Sequence, residues 1–280
     1  MEWVIERKLR EFLEEDLGSG DITTDMLVPE DALATSVVRT KEEGVIAGLE
    51  EILVLSHFLG LKFEQRVKDG DKVARGAILV EITGSARNLL KAERLILNLL
   101  SHMSGIATVT HTAIELAHKE NSHVKIAATR KTLPGLRFFE KKAITLVGGD
   151  SHRYDLSSMV LIKDNHIRMA GSLETALKRA REKASFTQKI AIEVTNPDEA
   201  VKAAKAGADI VMFDNMPSTD VRKAVRLLEE NRLRNKVVLE ASGSITLENV
   251  RSYAATGVDV ISMGFLTHSS KALDITMKIV

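Results

Sequence analysis

The spacing of hydrophobic residues changes near residue 123, and the second part of the chain has the more regular pattern. There, short continuous apolar runs alternate with amphipathic segments of helical period. The runs are VKIAAT, SSMVLIKD, KIAIEVT, ADIVMFD, KVVLEA and VDVISM. The segments between them predict helices near 135–146, 172–184, 197–206, 218–230 and 246–256. Parallel strands buried on both faces give such runs, and crossovers of this length favour parallel pairing, so the pattern predicts an open (β/α) barrel.

The first part of the chain is less regular. Residues 1–17 carry an apolar stripe of helical spacing, whereas 18–31, rich in Gly, Asp and Pro, are predicted as a loop. Segments rich in β-branched residues, from LATSVVRTK to GAILVEITG, predict strands on either side of a helix over 49–59. A long helix from Asn88 to about Leu100 is predicted to continue past an interruption at Ser104-Gly105.

Composition narrows the classes of function. The 280 residues contain 39 Lys and Arg against 39 Asp and Glu, which argues against a nucleic-acid partner held by bulk positive charge. The absence of cysteine excludes disulfides, thiolate metal sites and a cysteine nucleophile, and it fits a cytoplasmic protein. No apolar run approaches the roughly 18 residues needed to span a bilayer, so no membrane partner is expected.

Within this neutral chain, cations gather between Thr129 and His166. The run VKIAA comes shortly before Arg130 and Lys131, and the run MVLI directly precedes Lys163. His152 and Arg153 lie between these positions in the sequence. A charged residue at the end of a strand lies at one rim of a barrel, and several cations at one rim need an anion. The pattern predicts a binding site for a small molecule with several negative charges.

The later runs end in acidic or small residues. Glu193 and Asp214 are hard oxygen ligands, suited to Mg²⁺ that also shares a substrate phosphate. Ser242-Gly243 and Gly264 stand in turns that could present backbone N–H groups and a helix N-terminus to a phosphate, and His268 follows the second turn. Because barrel active sites lie at the C-terminal rim, these residues predict a site for a carboxylated ring, a phosphorylated sugar and Mg²⁺.

At these residues the chain resembles a known family. TRKTLPGLR, GGDSHRYDL, LIKDNH, MFDNM, EASGSIT and GVDVISMGFLTHS are similar, in order and spacing, to motifs of the quinolinate phosphoribosyltransferase family, and EDLGSGDITT and ERLILNLLSHMSGIAT to its N-terminal signatures. The resemblance covers nearly the whole chain. It implies an N-terminal α/β sandwich domain over 1–107, joined by 268–280, and an open barrel over 108–267.

The family resemblance also implies the reaction and the roles of residues. Quinolinate and phosphoribosyl pyrophosphate would give nicotinate mononucleotide, pyrophosphate and CO₂, a pentosyltransferase step of NAD biosynthesis. The quinolinate carboxylates would be bound by Arg130, His152, Arg153, Lys163 and, from a neighbouring subunit, Arg94. Phosphoribosyl pyrophosphate and Mg²⁺ would be bound by Lys131, Glu193, Asp214, Ser242, Gly243 and Gly264, with His268 nearby. Lys131, Lys163, Glu193 and Asp214 would be the catalytic residues.

The resemblance further implies a homodimer with shared active sites, in which the N-terminal domain of one subunit covers the barrel mouth of the other. It leaves open a hexamer built as a trimer of dimers. The chain departs from the usual family pattern at a few positions, and most of them surround His152, so a different loop is expected there. These positions are Asp150, Ser151, Asp155, Ala191 and Ser244.

The residues alone are also compatible with two other functions. Lys163 ends a strand run, as the nucleophile of a Schiff-base lyase would. A non-catalytic protein that binds a phosphorylated metabolite would use the same anion-binding groups. The other cations around Lys163 argue against the lyase. The presence of Arg130, Lys131, Lys163, Glu193 and Asp214 together argues against the non-catalytic protein.

Overall fold

The computed structural model describes residues 2–280 and divides them into two compact units. The first unit runs up to Val109 and includes Ser270–Val280, and the second is Thr110–Ser269. The sequence placed these divisions after residues 107 and 267. Among residues 2–280, no helix is both long and apolar enough to cross a membrane.

The bounds of the elements follow the hydrophobic pattern closely. The strands are β1 Leu33–Thr40, β2 Gly44–Val45, β3 Lys62–Gln65, β4 Lys72–Val73, β5 Ile78–Ser85, β6 Lys125–Ala127, β7 Val160–Ile162, β8 Ile190–Val194, β9 Ile210–Asp214, β10 Val238–Ser242, β11 Val260–Ser262 and β12 Ile275–Ile279. The helices are α1 Glu2–Leu17, α2 Ile22–Leu27, α3 Leu49–Phe58, α4 Ala86–His118, α5 Arg137–Leu146, α6 Asp164–Ala170, α7 Leu173–Lys183, α8 Pro197–Lys205, α9 Ser218–Glu230, α10 Val250–Ala254 and α11 Phe265–His268.

The first unit is built on an antiparallel sheet with strand order β12-β1-β5-β3. Strand β12 comes from the C-terminus and pairs with β1 from Ser36 to Thr40, so the last residues of the chain complete the first unit. The loop predicted over 18–31 is wrong in part, because it contains α2. Asp21, which the pattern treats as a helix breaker, caps this helix by accepting a hydrogen bond from Thr24 N at 3.0 Å.

Helix α4 is continuous, so the predicted interruption at Ser104-Gly105 is wrong. A Cβ atom on Gly105 would lie 2.2 Å from the carbonyl oxygen of Lys271, a contact that only glycine avoids. Ser104 Oγ accepts a hydrogen bond from Ala47 N at 3.1 Å. The two residues therefore serve close packing inside the first unit, which offsets the roughly 1 kcal/mol that glycine costs in a helix.

The second unit confirms the predicted open barrel of parallel strands. All pairs in its sheet are parallel, with order β6-β11-β10-β9-β8-β7. Strands β6 and β7 form the two edges. Asp150 extends the β6 edge through a parallel bridge to Ala127, so the loop 151–159 runs from one edge of the sheet to the other. This loop carries His152 and Arg153.

Three helical features of the second unit differ from the prediction. The helix expected over 246–256 is only α10, because Thr246 N donates to Asn249 Oδ1 at 2.9 Å in a turn that precedes it. The short helices α6 and α11 were not expected. The helix N-terminus proposed for phosphate binding at Thr246 is therefore absent.

Candidate active site

A cavity of about 510 Å³ opens at the C-terminal ends of the parallel strands, where barrels place their active sites. All but one of the site residues expected from the sequence line it: Arg130, Lys131, His152, Arg153, Lys163, Glu193, Asp214, Ser242, Gly243, Gly264 and His268. The exception is Arg94, which is exposed on the part of α4 that belongs to the first unit. Residues that are up to 138 positions apart in the printed sequence are thus collected by the strand ends.

Lys163 and Glu193 form an ion pair in this cavity. Lys163 directly follows β7, Glu193 lies next to the end of β8, and the Lys163 Nζ atom donates to Glu193 Oε1. Glu193 is opposite Met212 in the parallel register, so Asp214 lies two residues further along β9 on the same face. A nucleophilic lysine needs a desolvated free amine, whereas Lys163 is paired and 43% exposed, which disfavours the Schiff-base alternative.

Arg130 and Arg153 make the cavity cationic. Burial and the charge of Arg130 lower the pKa of Arg153 from its ordinary value, while Glu193 and Glu240 act in the opposite direction. Arg130 Nε is buried and has no hydrogen-bond partner among the described residues. Because buried N–H groups are almost always paired, the natural partner of this guanidinium is an acceptor on a bound anion.

Glu240 is a site residue that the sequence pattern places at the rim of the barrel but without a role. Its carboxylate is 2% exposed and lines the cavity. It accepts a hydrogen bond from His152 Nε2, at 3.1 Å to Oε1 and 3.3 Å to Oε2, and another from Ser262 Oγ. The one available signal was a charged residue inside the apolar run KVVLEA, two positions before Ser242 and so on the same strand face.

The loop around His152 is held by bonds of Asp150, Ser151 and Asp155. His152 has a φ of +51°, an unfavourable conformation for a residue with a Cβ atom. Its N–H donates to Asp150 Oδ1 at 2.7 Å, and Ser151 Oγ donates to its carbonyl oxygen at 3.2 Å. Asp155 Oδ1 accepts from both the hydroxyl and the N–H of Ser157, bonds that lower the pKa of Asp155.

The turn after β10 presents backbone donors to the cavity. Gly243 has a φ of +95°, and a Cβ atom there would lie 2.4 Å from Asn215 Oδ1. Ser244 follows with a φ of +52°. The N–H groups of these two residues have no acceptor within residues 2–280. They are therefore free to bind an oxyanion directly, without the helix N-terminus that the sequence suggested.

The turn after β11 brings Lys131 and His268 together. A Cβ atom on Gly264 would lie 3.0 Å from Lys131 Cδ and 3.1 Å from His268 Nε2, so the glycine gives both side chains their space. Thr267 Oγ1 donates to the Lys131 carbonyl oxygen at 2.6 Å and fixes the chain beside this turn. This corner of the cavity is cationic and borders the turn at Gly243 and Ser244.

The donor set for a metal is limited. Residues 2–280 contain no group of three or more His, Asp or Glu side chains arranged to hold a metal ion. Glu193 is shared with Lys163, and the Asp214 carboxylate makes no hydrogen bond or ion pair to another described residue. Mg²⁺ commonly binds one or two carboxylates together with waters and substrate phosphate. The two carboxylates fit an ion of that kind, but not a metal held by protein ligands alone.

Two family models match the chain. One is described as the N-terminal domain of quinolinate phosphoribosyl transferase and matches residues 21–104. The other is described as the C-terminal domain of the same enzyme and matches residues 106–278. Together they account for most of both structural units.

Relatives and solved structures agree with these matches. The chain is 43% identical to a protein of Methanothermobacter thermautotrophicus named probable nicotinate-nucleotide pyrophosphorylase (carboxylating), over 97% of each chain. It is 38% identical to the nicotinate-nucleotide pyrophosphorylase (carboxylating) of Rattus norvegicus, over 90% of this chain and 84% of that one. The crystal structure of NadC from Streptococcus pyogenes superimposes with a TM-score of 0.92 at 36% identity, covering 100% of this chain and 98% of the other.

Proposed function

The chain belongs to the quinolinate phosphoribosyltransferase family, and on that premise we propose how its residues carry out the family's reaction. The enzyme transfers a phosphoribosyl group from phosphoribosyl pyrophosphate to quinolinate with loss of CO₂, a step of NAD biosynthesis. The cavity holds the two substrates on separate sides. Cations around Arg130 bind the dicarboxylate, and the turns after β10 and β11 bind the phosphorylated sugar.

The observation that carries this assignment is the environment of Arg130. Its buried Nε lacks a partner, and its charge adds to that of Arg153, so the protein holds positive charge here that Glu193 and Glu240 offset only in part. A planar dicarboxylate supplies the missing acceptors, and guanidinium groups bind such carboxylates through two parallel hydrogen bonds. His152 and Lys163 add donors at the same side of the cavity.

The phosphoribosyl side combines amides and cations. The free N–H groups of Gly243 and Ser244 meet phosphate oxygens, and Lys131 and His268 lie against Gly264 to bind the remaining negative charge. Glu193 and Asp214 would hold Mg²⁺ together with the substrate. When bound, Mg²⁺ neutralises charge on the pyrophosphate oxygens and so favours their departure.

Charge placement explains the chemistry. The quinolinate nitrogen donates its electron pair to ribose C1 while the bond from C1 to the pyrophosphate oxygen breaks. In the transition state of this displacement, positive charge develops on the sugar, near Glu193 and Asp214, and negative charge develops on the leaving group, near Lys131. The ring nitrogen, now positively charged, stabilises the electron pair left at C2 as CO₂ departs, and C2 takes up a proton. Arg153 and Lys163 hold the ring during this step.

An assay for nicotinate mononucleotide tests the assignment directly. The enzyme is given quinolinate, phosphoribosyl pyrophosphate and Mg²⁺, with nicotinate as the control substrate. Nicotinate mononucleotide and CO₂ are expected with quinolinate but not with nicotinate. Addition of a metal chelator is expected to stop the reaction. Activity with nicotinate but not with quinolinate would overturn the substrate assignment.

We also propose a cytoplasmic homodimer with shared active sites, in which Arg94 of one subunit completes the quinolinate side of the other. Arg94 is exposed, and Leu133 and Leu156, on loops beside the cavity, are 49% and 70% exposed, as expected of a surface that a partner covers. Inactive Arg94→Ala and Arg130→Ala chains, unfolded and refolded as a mixture, should regain up to about a quarter of native activity, since half of the dimers are mixed and each has one intact site. No regain would contradict shared sites.

A further inference from the structure

A buried lysine holds the loop 151–154. Lys141 lies on α5, and its Nζ atom donates hydrogen bonds to the carbonyl oxygens of Ser151 at 2.6 Å and Arg153 at 2.7 Å. These two carbonyls flank His152. The ammonium group therefore fixes the main chain on both sides of the residue that reaches Glu240 in the cavity.

The environment of Lys141 is unusual for a cation. The residue is 1% exposed, and no carboxylate of the described chain lies within ion-pair distance of it. Burial lowers its pKa to about 8, with a further contribution from Arg137, while Asp150 acts in the opposite direction. The Nζ atom also lies 5.2 Å from the centre of the Tyr154 ring. A buried charge is unfavourable unless it is well bonded, and here the bonds go to this loop.

Arg137 strengthens the same attachment. It lies one helical turn before Lys141, and residues four apart share a helix face. Its Nη1 atom donates to the carbonyl oxygen of Tyr154 at 3.3 Å, and its Nε atom donates to Thr132 Oγ1 at 3.1 Å. One face of α5 thus binds three main-chain carbonyls of a single short loop.

We propose, on the basis of the function proposed above, that Lys141, assisted by Arg137, is a positioning residue that sets the approach of His152 and Arg153 to the quinolinate carboxylates. A loop that holds His152 at positive φ relaxes unless its surroundings prevent it. Displacement of binding groups by about 1 Å can reduce a rate about 100-fold. The turns at Gly243 and Gly264 make no hydrogen bond to residues 151–154, so we expect the phosphoribosyl side to be much less affected.

The test compares the two Michaelis constants of Lys141→Met, which keeps the length of the side chain but removes its donors. The KM for quinolinate should rise about tenfold or more, and the KM for phosphoribosyl pyrophosphate should stay within about twofold of native. Lys178→Met, on the exposed side of α7, is the control for loss of one lysine and should change neither constant. A folded Lys141→Met enzyme with both constants unchanged, or both raised equally, would overturn the proposal.

Arg137→Met keeps the proposal testable if Lys141→Met does not fold, because Arg137 is only half-buried. The same selective rise in the quinolinate KM is expected, about threefold, since one bond to the loop is lost while two remain. An unchanged quinolinate KM in this variant would contradict the role of α5. The native enzyme serves as the reference for the proposed function itself: if it does not use quinolinate, that function fails, whereas an active native enzyme with unselective variants refutes only the positioning role.

Discussion

The N-terminal and C-terminal ends of the parallel strands in the second unit differ in how fully their charged side chains are hydrogen-bonded within the protein. At the N-terminal ends, the carboxylates of Asp209 and Asp259 each accept hydrogen bonds from two residues. Asp209 accepts from Arg181 at 2.9 Å and from Ile190 N at 2.7 Å. At the C-terminal ends, by contrast, Arg130 keeps a buried N–H group without a partner. The N-terminal end bonds both of these aspartates, whereas the C-terminal end, despite its internal pairs, leaves Arg130 Nε and the Asp214 carboxylate for a ligand.

The N-terminal arrangement occurs twice. Asp259 Oδ2 accepts from Leu239 N at 2.7 Å, and its Oδ1 accepts from Arg234 at 2.7 Å. Each arginine also donates to the carbonyl oxygen of a glycine two residues before its aspartate, at 2.6 Å for Gly207 and 2.8 Å for Gly257. In both cases, the aspartate and arginine connect the start of one strand to the start of the neighbouring strand.

Backbone strain follows the same division. Among residues 2–280, positive φ at non-glycine residues occurs at His152, Asn215, Arg232 and Ser244. All but Arg232 lie in loops at the C-terminal ends of the strands. Strained and unpaired groups persist where the rest of the structure holds them, which is typical of functional sites. We expect mutations at this end to reduce activity and mutations at the other end to reduce stability.

The largest effect is expected for Arg130→Ala. Removing a buried charged donor from an ionic contact costs about 2–5 kcal/mol, so the affinity for quinolinate should fall roughly 30-fold to several thousandfold, as measured by titration calorimetry. The melting temperature should not fall, because the guanidinium Nε bonds no described residue. Arg181→Ala is the matched control at the other end and should retain native affinity. Unchanged affinity in Arg130→Ala would contradict the assignment of the cationic side.

Asp259→Ala should give the reverse result. It leaves the N–H of buried Leu239 without its carboxylate acceptor and breaks the pair with Arg234. The unpaired N–H costs about 1–3 kcal/mol and the partly exposed ion pair up to about 1 kcal/mol, so the free energy of unfolding should drop by about 2 kcal/mol. Urea denaturation measures the loss. At urea concentrations below the unfolding transition, the Michaelis constants for both substrates should equal those of the native enzyme. A raised KM would show that the N-terminal ends of the strands also affect substrate binding.

The sequence predicts the two ends unequally well. Glu193 and Asp214 could be placed at the C-terminal rim because each stands where an apolar run stops, and the order of runs fixes which rim that is. The hydrogen bonds of Asp209 could not be predicted, because its partner Arg181 lies on α7 and nothing in the sequence spacing pairs the two residues. Glu240 could be placed at the same rim, because it stands near the end of the run KVVLEA, but its bonds could not be predicted, since its partners His152 and Ser262 come from other parts of the chain. The role of Arg94 stays a prediction.

The pH dependence of stability sharpens the comparison at Lys141, a cation bonded to neutral carbonyls instead of a carboxylate. Its pKa is about 8 in the folded chain, below 10.5 in the unfolded chain, so the unfolded state binds more protons between these values. Stability should therefore rise with pH across that window, as the penalty of burying an ammonium disappears. The unfolding free energy of native protein minus that of Lys141→Met protein should therefore increase by about 2 kcal/mol from pH 8 to pH 10.

Several charged residues face Lys141, and comparing native with Lys141→Met protein isolates the contribution of Lys141 itself. Arg137, Arg130 and Arg153 lower its pKa after burial, and Asp150 raises it. The arginines, Asp150 and the other lysines are common to both proteins, so their contributions cancel in the difference. A difference that stays flat between pH 8 and pH 10 would mean that Lys141 keeps its proton in the folded chain or loses it without consequence.

The smallest effect is expected at Ser244, which tests whether strain at the C-terminal end can be removed without loss of function. Ser244 holds a φ of +52°, a conformation that glycine adopts without a steric penalty. Ser244→Gly removes the Cβ penalty of about 1 kcal/mol but also the 3.3 Å hydrogen bond to Asn215, so unfolding free energy should rise by about 0.5 kcal/mol. The KM for phosphoribosyl pyrophosphate should not increase, because the N–H group remains. A stabilised variant with a higher KM for phosphoribosyl pyrophosphate would show instead that the strained serine fixes the direction of that N–H group. Strain and binding at this end could then not be separated.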